Sequence, residues 1–225
     1  MDEALKLNAD LTARAVVRSA EMDWQASPSP TVWRKRLYLD GPAEAGMVTS
    51  VVHYDPGSEF PTHHHPDGEE IFVLDGVFSD EHGDYPAGTY LLNPDGTSHA
   101  PFSKEGCTLF VKLRQYRGDD RTPVEMNTNA LDWQPRTDSG VWQKPLYRQG
   151  GHREWTQLLK LESGAEAPHH GHPNGEEVFV IDGEFEDEFG TYPAGTWTRS
   201  PPRSAHTVKS PKGAILYVRF GGMEA

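Results

Sequence analysis

The sequence predicts an all-β protein, two tandem β-barrels or jelly-roll sandwiches behind a short N-terminal extension. Three observations carry that expectation. Short runs rich in Val, Ile, Phe, Tyr and Leu alternate with Gly, Pro, Asp and Asn, while long helical periodicity is absent. Residues 57–99 repeat as residues 164–206 with 24 identities in 43 positions, where composition alone would give on the order of three. Within that repeat, a His-x-His-x3-Glu pattern followed by a third His recurs at a constant shift of 107.

The elements follow in chain order. Residues 1–20 form the extension, where Leu5, Leu7, Leu11, Val16 and Val17 settle into neither the strand nor the helix period. The first barrel spans residues 21–117 and the second 118–225. The boundary rests on the polar, turn-rich run Arg-Gly-Asp-Asp-Arg-Thr-Pro at 117–123. Strands are predicted over 49–54, 70–74 and 108–113 in the first half, and over 156–161, 177–181 and 214–220 in the second. Hairpin turns are predicted at 80–83 and 187–190, each leading into Tyr-Pro-Ala-Gly-Thr. Looser echoes reach upstream at a shift of 109, where Asp23-Trp24 matches Asp132-Trp133 and Trp33 matches Trp142.

Composition narrows the function classes. A net charge of -13 repels phosphate backbones, so nucleic acid is not an expected partner. No stretch approaches the roughly 20 apolar residues that span a bilayer, and the start lacks a signal-peptide pattern, which points to a cytoplasmic protein with no membrane partner. Cys107 is the lone cysteine and its repeat counterpart is Ala214, so it is read as a buried structural thiol.

The repeated histidines carry the chemistry. His63, His65, Glu69 and His99 become His170, His172, Glu176 and His206. Imidazole nitrogens with one carboxylate oxygen form a donor set for a divalent transition metal, so two ions per chain are expected. Zinc is the first choice, with iron, manganese and nickel as alternatives. Residues two apart in a strand share a face, which sends His63 and His65 into the same interior, and likewise His170 and His172. Pro66-Asp67-Gly68 and Pro173-Asn174-Gly175 can then turn the chain to bring in the glutamate, and the third His is expected from a more distant strand. Alternation allows only one of Glu69 and Glu70, and one of Glu176 and Glu177, to face the metal. His64, His169, His53, His82 and His152 have no place in the pattern, and Phe72, Phe78, Phe179 and Phe185 read as core. Arg199 and Arg203 stand where the first half has Leu92 and Gly96, which predicts ligand contacts at the second metal and an anionic ligand there.

The run Gly57-x5-His63-x-His65-x3-Glu69-x6-Gly76, then Gly88-x5-Pro94-x-Gly96-x2-His99, resembles the two motifs of the cupin superfamily. The second half repeats it from Gly164 to Gly183 and again through Gly195, Pro201 and His206, with Arg203 replacing one motif glycine. The chain thus resembles a bicupin, and its Gly-Glu-Glu, Gly-x-Phe-x-Asp-Glu-x-Gly and Tyr-Pro-Ala-Gly strings are most similar to the cupin domain of ChrR-type anti-sigma factors. The resemblance implies ligand roles for the eight positions named and a regulatory or sensor function. Such anti-sigma factors capture their sigma factor with an N-terminal helical module bearing a His/Cys zinc site. Here about 20 residues precede the first strand-like segment and contain neither His nor Cys, so that module and sigma binding are not expected. Two other classes fit a bicupin: a metal-dependent dioxygenase acting on a small diketone or aromatic ketone, and a non-catalytic small-ligand binder. No acid, base or nucleophile independent of the metals is assigned. Exposed strand edges make a homodimer the expected assembly.

Overall fold

The computed structural model describes residues 5–137 and 140–223. The first four residues of the expected extension lie outside that range. Among the described residues the structure is strand and turn, with two single-turn 3-10 helices at Ser19–Glu21 and Thr128–Ala130. No helix there is long and apolar enough to cross a membrane.

The chain forms two compact units, and their residues do not follow sequence order. One holds the described residues up to Ala9 together with Met22–Ala130; the other holds Asp10–Glu21 and the described residues from Leu131 onward. The expected extension is therefore structural. Leu5–Leu7 pairs with Val32–Gly41 in the first unit, and Ala15–Arg18 pairs with Thr196–Ser200 in the second. The polar run taken as a linker leads into Val124–Asn127, which pairs with Thr89–Asn93 and completes the first unit's sheet. Ala15 is buried and Val16 exposed, so one face of this short strand supplies apolar contact, which the adjacent valines concealed in sequence.

Both units share one plan. In the first, the large sheet runs in spatial order Leu5–Leu7, Val32–Gly41, Met47–Tyr54, Cys107–Leu113, Glu69–Asp80, Thr89–Asn93, Val124–Asn127. In the second, the order is Gln134–Pro135, Val141–Arg148, Trp155–Leu161, Ala214–Phe220, Glu176–Asp187, Thr196–Ser200, Ala15–Arg18. The twelve-residue strands Glu69–Asp80 and Glu176–Asp187 each pair within this sheet through their first part and with other partners through their last, Gly83–Pro86 and Gly190–Pro193 respectively.

A register shift opposite Thr108/Leu109, and another at Val180/Asp182, mark where each long strand bends. Gly76 and Gly183 follow at φ of 73° and 72°. A Cβ there would lie 2.2 Å from Gly106 O and 2.1 Å from Gly213 O, so the bend is closed to any side chain.

Apolar side chains on the inner faces form one core per unit. Tyr54, Ile71, Val73, Phe78 and Leu109 belong to the first, and Leu161, Val178, Val180, Phe185 and Val218 to the second. Full burial of each Val, Leu, Ile or Phe contributes roughly 1.5–3 kcal/mol. Phe72 and Phe179 are also buried, on the opposite face of their strands. Cys107 is buried within the first core, and burial pushes its thiol up to about 11.

Candidate metal centres

Alternation along Glu69–Asp80 puts Glu69 on the same face as the core residues Ile71 and Val73. Beside it, His63 lies on the short strand His63–His64, whose antiparallel partner Ser98–His99 sets His99 opposite His63. In the second barrel, Ala165–His172 pairs with Ser204–Ser210 and brings His170 opposite His206. The third histidine thus comes, as expected, from a strand distant in sequence, one hydrogen-bonded to the strand that carries the first. Asp67 and Gly68 turn the chain at φ of 57° and 79°, with Gly68 N donating to His65 O at 2.9 Å.

In the first barrel, ligand atoms from His63, His65, Glu69 and His99 all lie within 4.8 Å of one another. Glu69 Oε2 is 3.4 Å from His65 Nε2 and 3.4 Å from His99 Nε2. In the second, His170, His172 and His206 meet the same spacing, and Glu176 Oε2 lies 3.6 Å from His172 Nε2 and 3.5 Å from His206 Nε2. Metal–ligand bonds of about 2.1 Å at right-angled to tetrahedral geometry separate neighbouring donors by roughly 3.0–3.4 Å. The carboxylate–imidazole distances of the first barrel reach that spacing, while those of the second are slightly longer and Glu176 stands outside the close group of its three histidines.

The opposite edge of each ring fixes which nitrogen faces inward. In the first barrel, Nδ1 of His63 faces Pro61 O at 3.1 Å, and Nδ1 of His65 faces Thr97 Oγ1 at 2.8 Å. Thr97 donates its own proton to Pro94 O at 2.6 Å, so it accepts from His65. Nδ1 of His99 meets Asp80 Oδ2 at 3.1 Å. All three rings thus carry the proton on Nδ1 and turn an Nε2 lone pair inward. Nε2 of His65 and of His99 are buried without a hydrogen-bond partner, a costly arrangement that a metal would relieve. The second barrel repeats the pattern at His170 Nδ1 with Pro168 O, 2.8 Å, and at His206 Nδ1 with Asp187 Oδ2, 3.1 Å. There His172 Nε2 and His206 Nε2 face each other at 3.0 Å, a separation that suits a shared proton, or two neighbouring donors to a metal set to one side of them.

Burial shapes the charge states. It lowers His65, against the pull of Glu69, and together with the neighbouring His206 and His170 it pushes His172 down to about 3. It pushes the Glu176 carboxyl up to about 7. Burial would also raise Asp187, but hydrogen bonds from His206, Tyr192, the Phe189 amide and Arg14 outweigh it and hold that carboxyl far below the usual range.

Each centre faces a cavity. The first, about 390 Å³, is walled by Val48, Val52, Phe60, Val111 and Leu113; the second, about 530 Å³, by Leu159, Leu161, Val208, Leu216 and Phe220. Their sizes suit a small ligand.

Several side chains depart from expectation. Glu70 and Glu177 point away from the centres, yet they are buried: Glu70 accepts from Tyr90 Oη at 2.5 Å, and Glu177 lies 3.6 Å from Arg219. Arg199 does not reach the second centre. It pairs in register with Glu177, on the face opposite Glu176, and its guanidinium donates to Asp10 O at 2.8 Å. Arg203 is exposed, with φ of 69°, and does not line the cavity. The anionic ligand expected from those two arginines loses that support. His53, His64, His82, His152 and His169 belong to neither group of ligand atoms. Asp80 and Asp187, the carboxylates behind His99 and His206, were read in sequence only as turn residues, although both are identical across the repeat.

A family model described as the ChrR cupin-like domain matches residues 12–117 and again residues 121–224. The chain belongs to the ChrR cupin-like family. Solved structures similar to this bicupin include a protein from Nostoc punctiforme described as a candidate dioxygenase, at 16% identity and TM-score 0.75, covering 92% of this chain and 82% of that one. A glyoxylate-induced protein from Pseudomonas aeruginosa aligns at 12% identity and TM-score 0.75, over 100% and 93% of the two chains. The Mn(II)-containing oxalate decarboxylase of Bacillus subtilis aligns at 14% identity and TM-score 0.65, over 94% and 78%. At these identities the likeness concerns the fold. No curated protein matches the bicupin's sequence.

Proposed function

We propose that this bicupin is a metal-loaded ligand-binding protein of the regulatory or sensor type, each barrel holding one divalent metal and offering it to a small molecule from the cavity. His63, His65, Glu69 and His99 would hold one ion, and His170, His172, Glu176 and His206 the other, with zinc the first expectation. The observation that carries this reading is the inward-turned Nε2 set beside a buried carboxylate, next to a cavity of ligand size. When bound, the metal supplies a Lewis-acidic centre whose remaining positions accept water or a ligand atom. The chain's own residues fix the imidazole tautomers through Pro61, Thr97, Asp80, Pro168 and Asp187, and the apolar walls limit water around the centre.

Family membership supports the regulatory description, while sigma-factor capture is not part of the proposal. A second reading, oxygen-dependent chemistry on a small diketone or aromatic ketone, is favoured by the dioxygenase description of the Nostoc relative in fold. Elemental analysis of protein purified without added metal tests the shared core of both readings, with two ions per chain expected and none overturning it. Oxygen uptake by the iron-loaded chain on acetylacetone separates them, because turnover would replace the binding description with the enzymatic one.

A further inference from the structure

The two cavities are cationic in an acidic chain. With a net charge of -13 overall, the cavities are nevertheless lined by Arg34, Arg36, Arg114, Arg136 and Arg153, and by only three carboxylates, Glu44, Glu69 and Glu176. Two of those three face the metal positions. Guanidinium groups in a recess with low-dielectric walls focus a positive potential there and select anions, carboxylates above all, by paired N–H donors.

The first cavity supplies its own carboxylate. Glu44 accepts from Arg34 Nη1 at 2.7 Å and from Arg34 Nη2, and Arg36 Nη2 reaches the same carboxylate at 3.1 Å. That leaves Arg114 as the guanidinium there not engaged by Glu44. The second cavity has no corresponding carboxylate. The Arg136 side chain makes no hydrogen bond or ion pair with a described residue, and Arg153 lines the same recess. At the repeat shifts of 109 and 107, these arginines stand where the first half has Ser27 and Gly46, so the arrangement belongs to the second barrel alone.

We propose that the second cavity binds an organic carboxylate with an apolar body, its charge met by Arg136 and Arg153, and that Glu44 occupies the matching role within the first barrel. The apolar body is required by the walls, which include Leu159, Leu161, Val208, Leu216 and Phe220. This names the ligand class for the binding function proposed above and rests on that reading for the ligand's place beside the metal.

The test is a calorimetric titration of the zinc-loaded full chain with benzoate, and with benzamide as the neutral molecule of the same shape. One benzoate per chain should bind, at least tenfold more tightly than benzamide. The Arg136→Gln/Arg153→Gln double variant, altered only at exposed side chains, should weaken benzoate about tenfold and leave benzamide unchanged. Glu44→Gln should create a second benzoate site. Absence of benzoate binding, equal affinity for benzamide, or indifference to the arginine substitutions would overturn the proposal, and two sites in the unaltered chain would overturn the role of Glu44. Elemental analysis of the same samples keeps the claims apart. Two metals with no preference for benzoate defeats the ligand class alone, and a chain that takes up no metal defeats the functional reading whatever the titration gives.

Discussion

The two barrels present the same histidines and glutamate but grip them differently from behind. In the first, Asp80 holds His99 while its other oxygen accepts from neutral donors, the His82 and Gly83 amides and Tyr85 Oη. In the second, Asp187 holds His206 and also meets Arg14, whose Nη2 lies 2.7 Å from Asp187 Oδ2 and 2.7 Å from Tyr192 Oη. Arg14 comes from the segment that precedes the first repeat, and the equivalent position before the second is Pro123. Thr97 anchors His65, whereas its counterpart Ser204 has a buried hydroxyl without a partner. Duplication preserved the donors that could hold a metal, and the surrounding supports diverged, so the two candidate centres should differ in affinity while sharing one set of donors.

The bluntest way to break that comparison is to remove a donor. His65→Ala should abolish one metal site and His172→Ala the other, each with more than about a hundredfold loss of affinity at its own barrel and the partner site intact. Elemental analysis and chelator competition read this directly, and coupled loss of both ions would refute independent centres.

Replacing the supporting carboxylates comes next. Asp80→Asn and Asp187→Asn should each cost about 10–100-fold in metal affinity, the usual range for groups that orient ligating imidazoles. The second substitution also strands Arg14, so it should lower the melting temperature more than the first.

Acidification sharpens the contrast. Glu176 must be ionised to ligate, and in the metal-free protein burial raises its carboxyl to about 7. Protons therefore compete with metal below that pH, and affinity at the second centre should fall about tenfold per unit as pH drops from 7 toward 5. His172, already pushed down to about 3, adds no competition in that window. Metal titrations of the His65→Ala variant across this range measure the slope, and a flat response would refute it.

The smallest effect is expected at the hydroxyls. Thr97→Val removes a hydrogen bond worth about 1 kcal/mol and should weaken the first centre roughly fivefold, whereas Ser204→Ala should leave the second unchanged.

What could be read in sequence was whatever is local. The strands from Thr49, Thr108 and Ala214 announce themselves through β-branched and aromatic runs, and the structure extends them by few residues. His63, His65 and Glu69 are legible because a strand and a tight turn bring them together within seven positions. Asp80 and Asp187 were hidden because a carboxylate opening a hairpin already has a sufficient local role, in capping the turn amides. Arg199 was misdirected for a different reason. In Thr196–Ser200 every residue is buried, so polarity does not distinguish the face toward Glu176 from the one toward Glu177. The N-terminal strand was invisible because its partner lies about 180 residues away, and no short-range pattern encodes that pairing.

That remote pairing makes the chain indivisible by a single cut. Residues 10–21 of one unit lie inside the span of the other, so no single cut that parts the two repeats leaves both barrels with their whole sheets. The repeats can be separated on paper at residues 117–118, but a half-gene expressed from either side would display a bare strand edge, Thr89–Asn93 or Thr196–Ser200, open to pairing with any extended segment. Moving Asp10–Glu21 behind the second repeat, with the segment that ends at Ala9 joined directly to Met22, would instead make each barrel contiguous in sequence and the second a detachable cassette for grafting a candidate metal centre into other proteins.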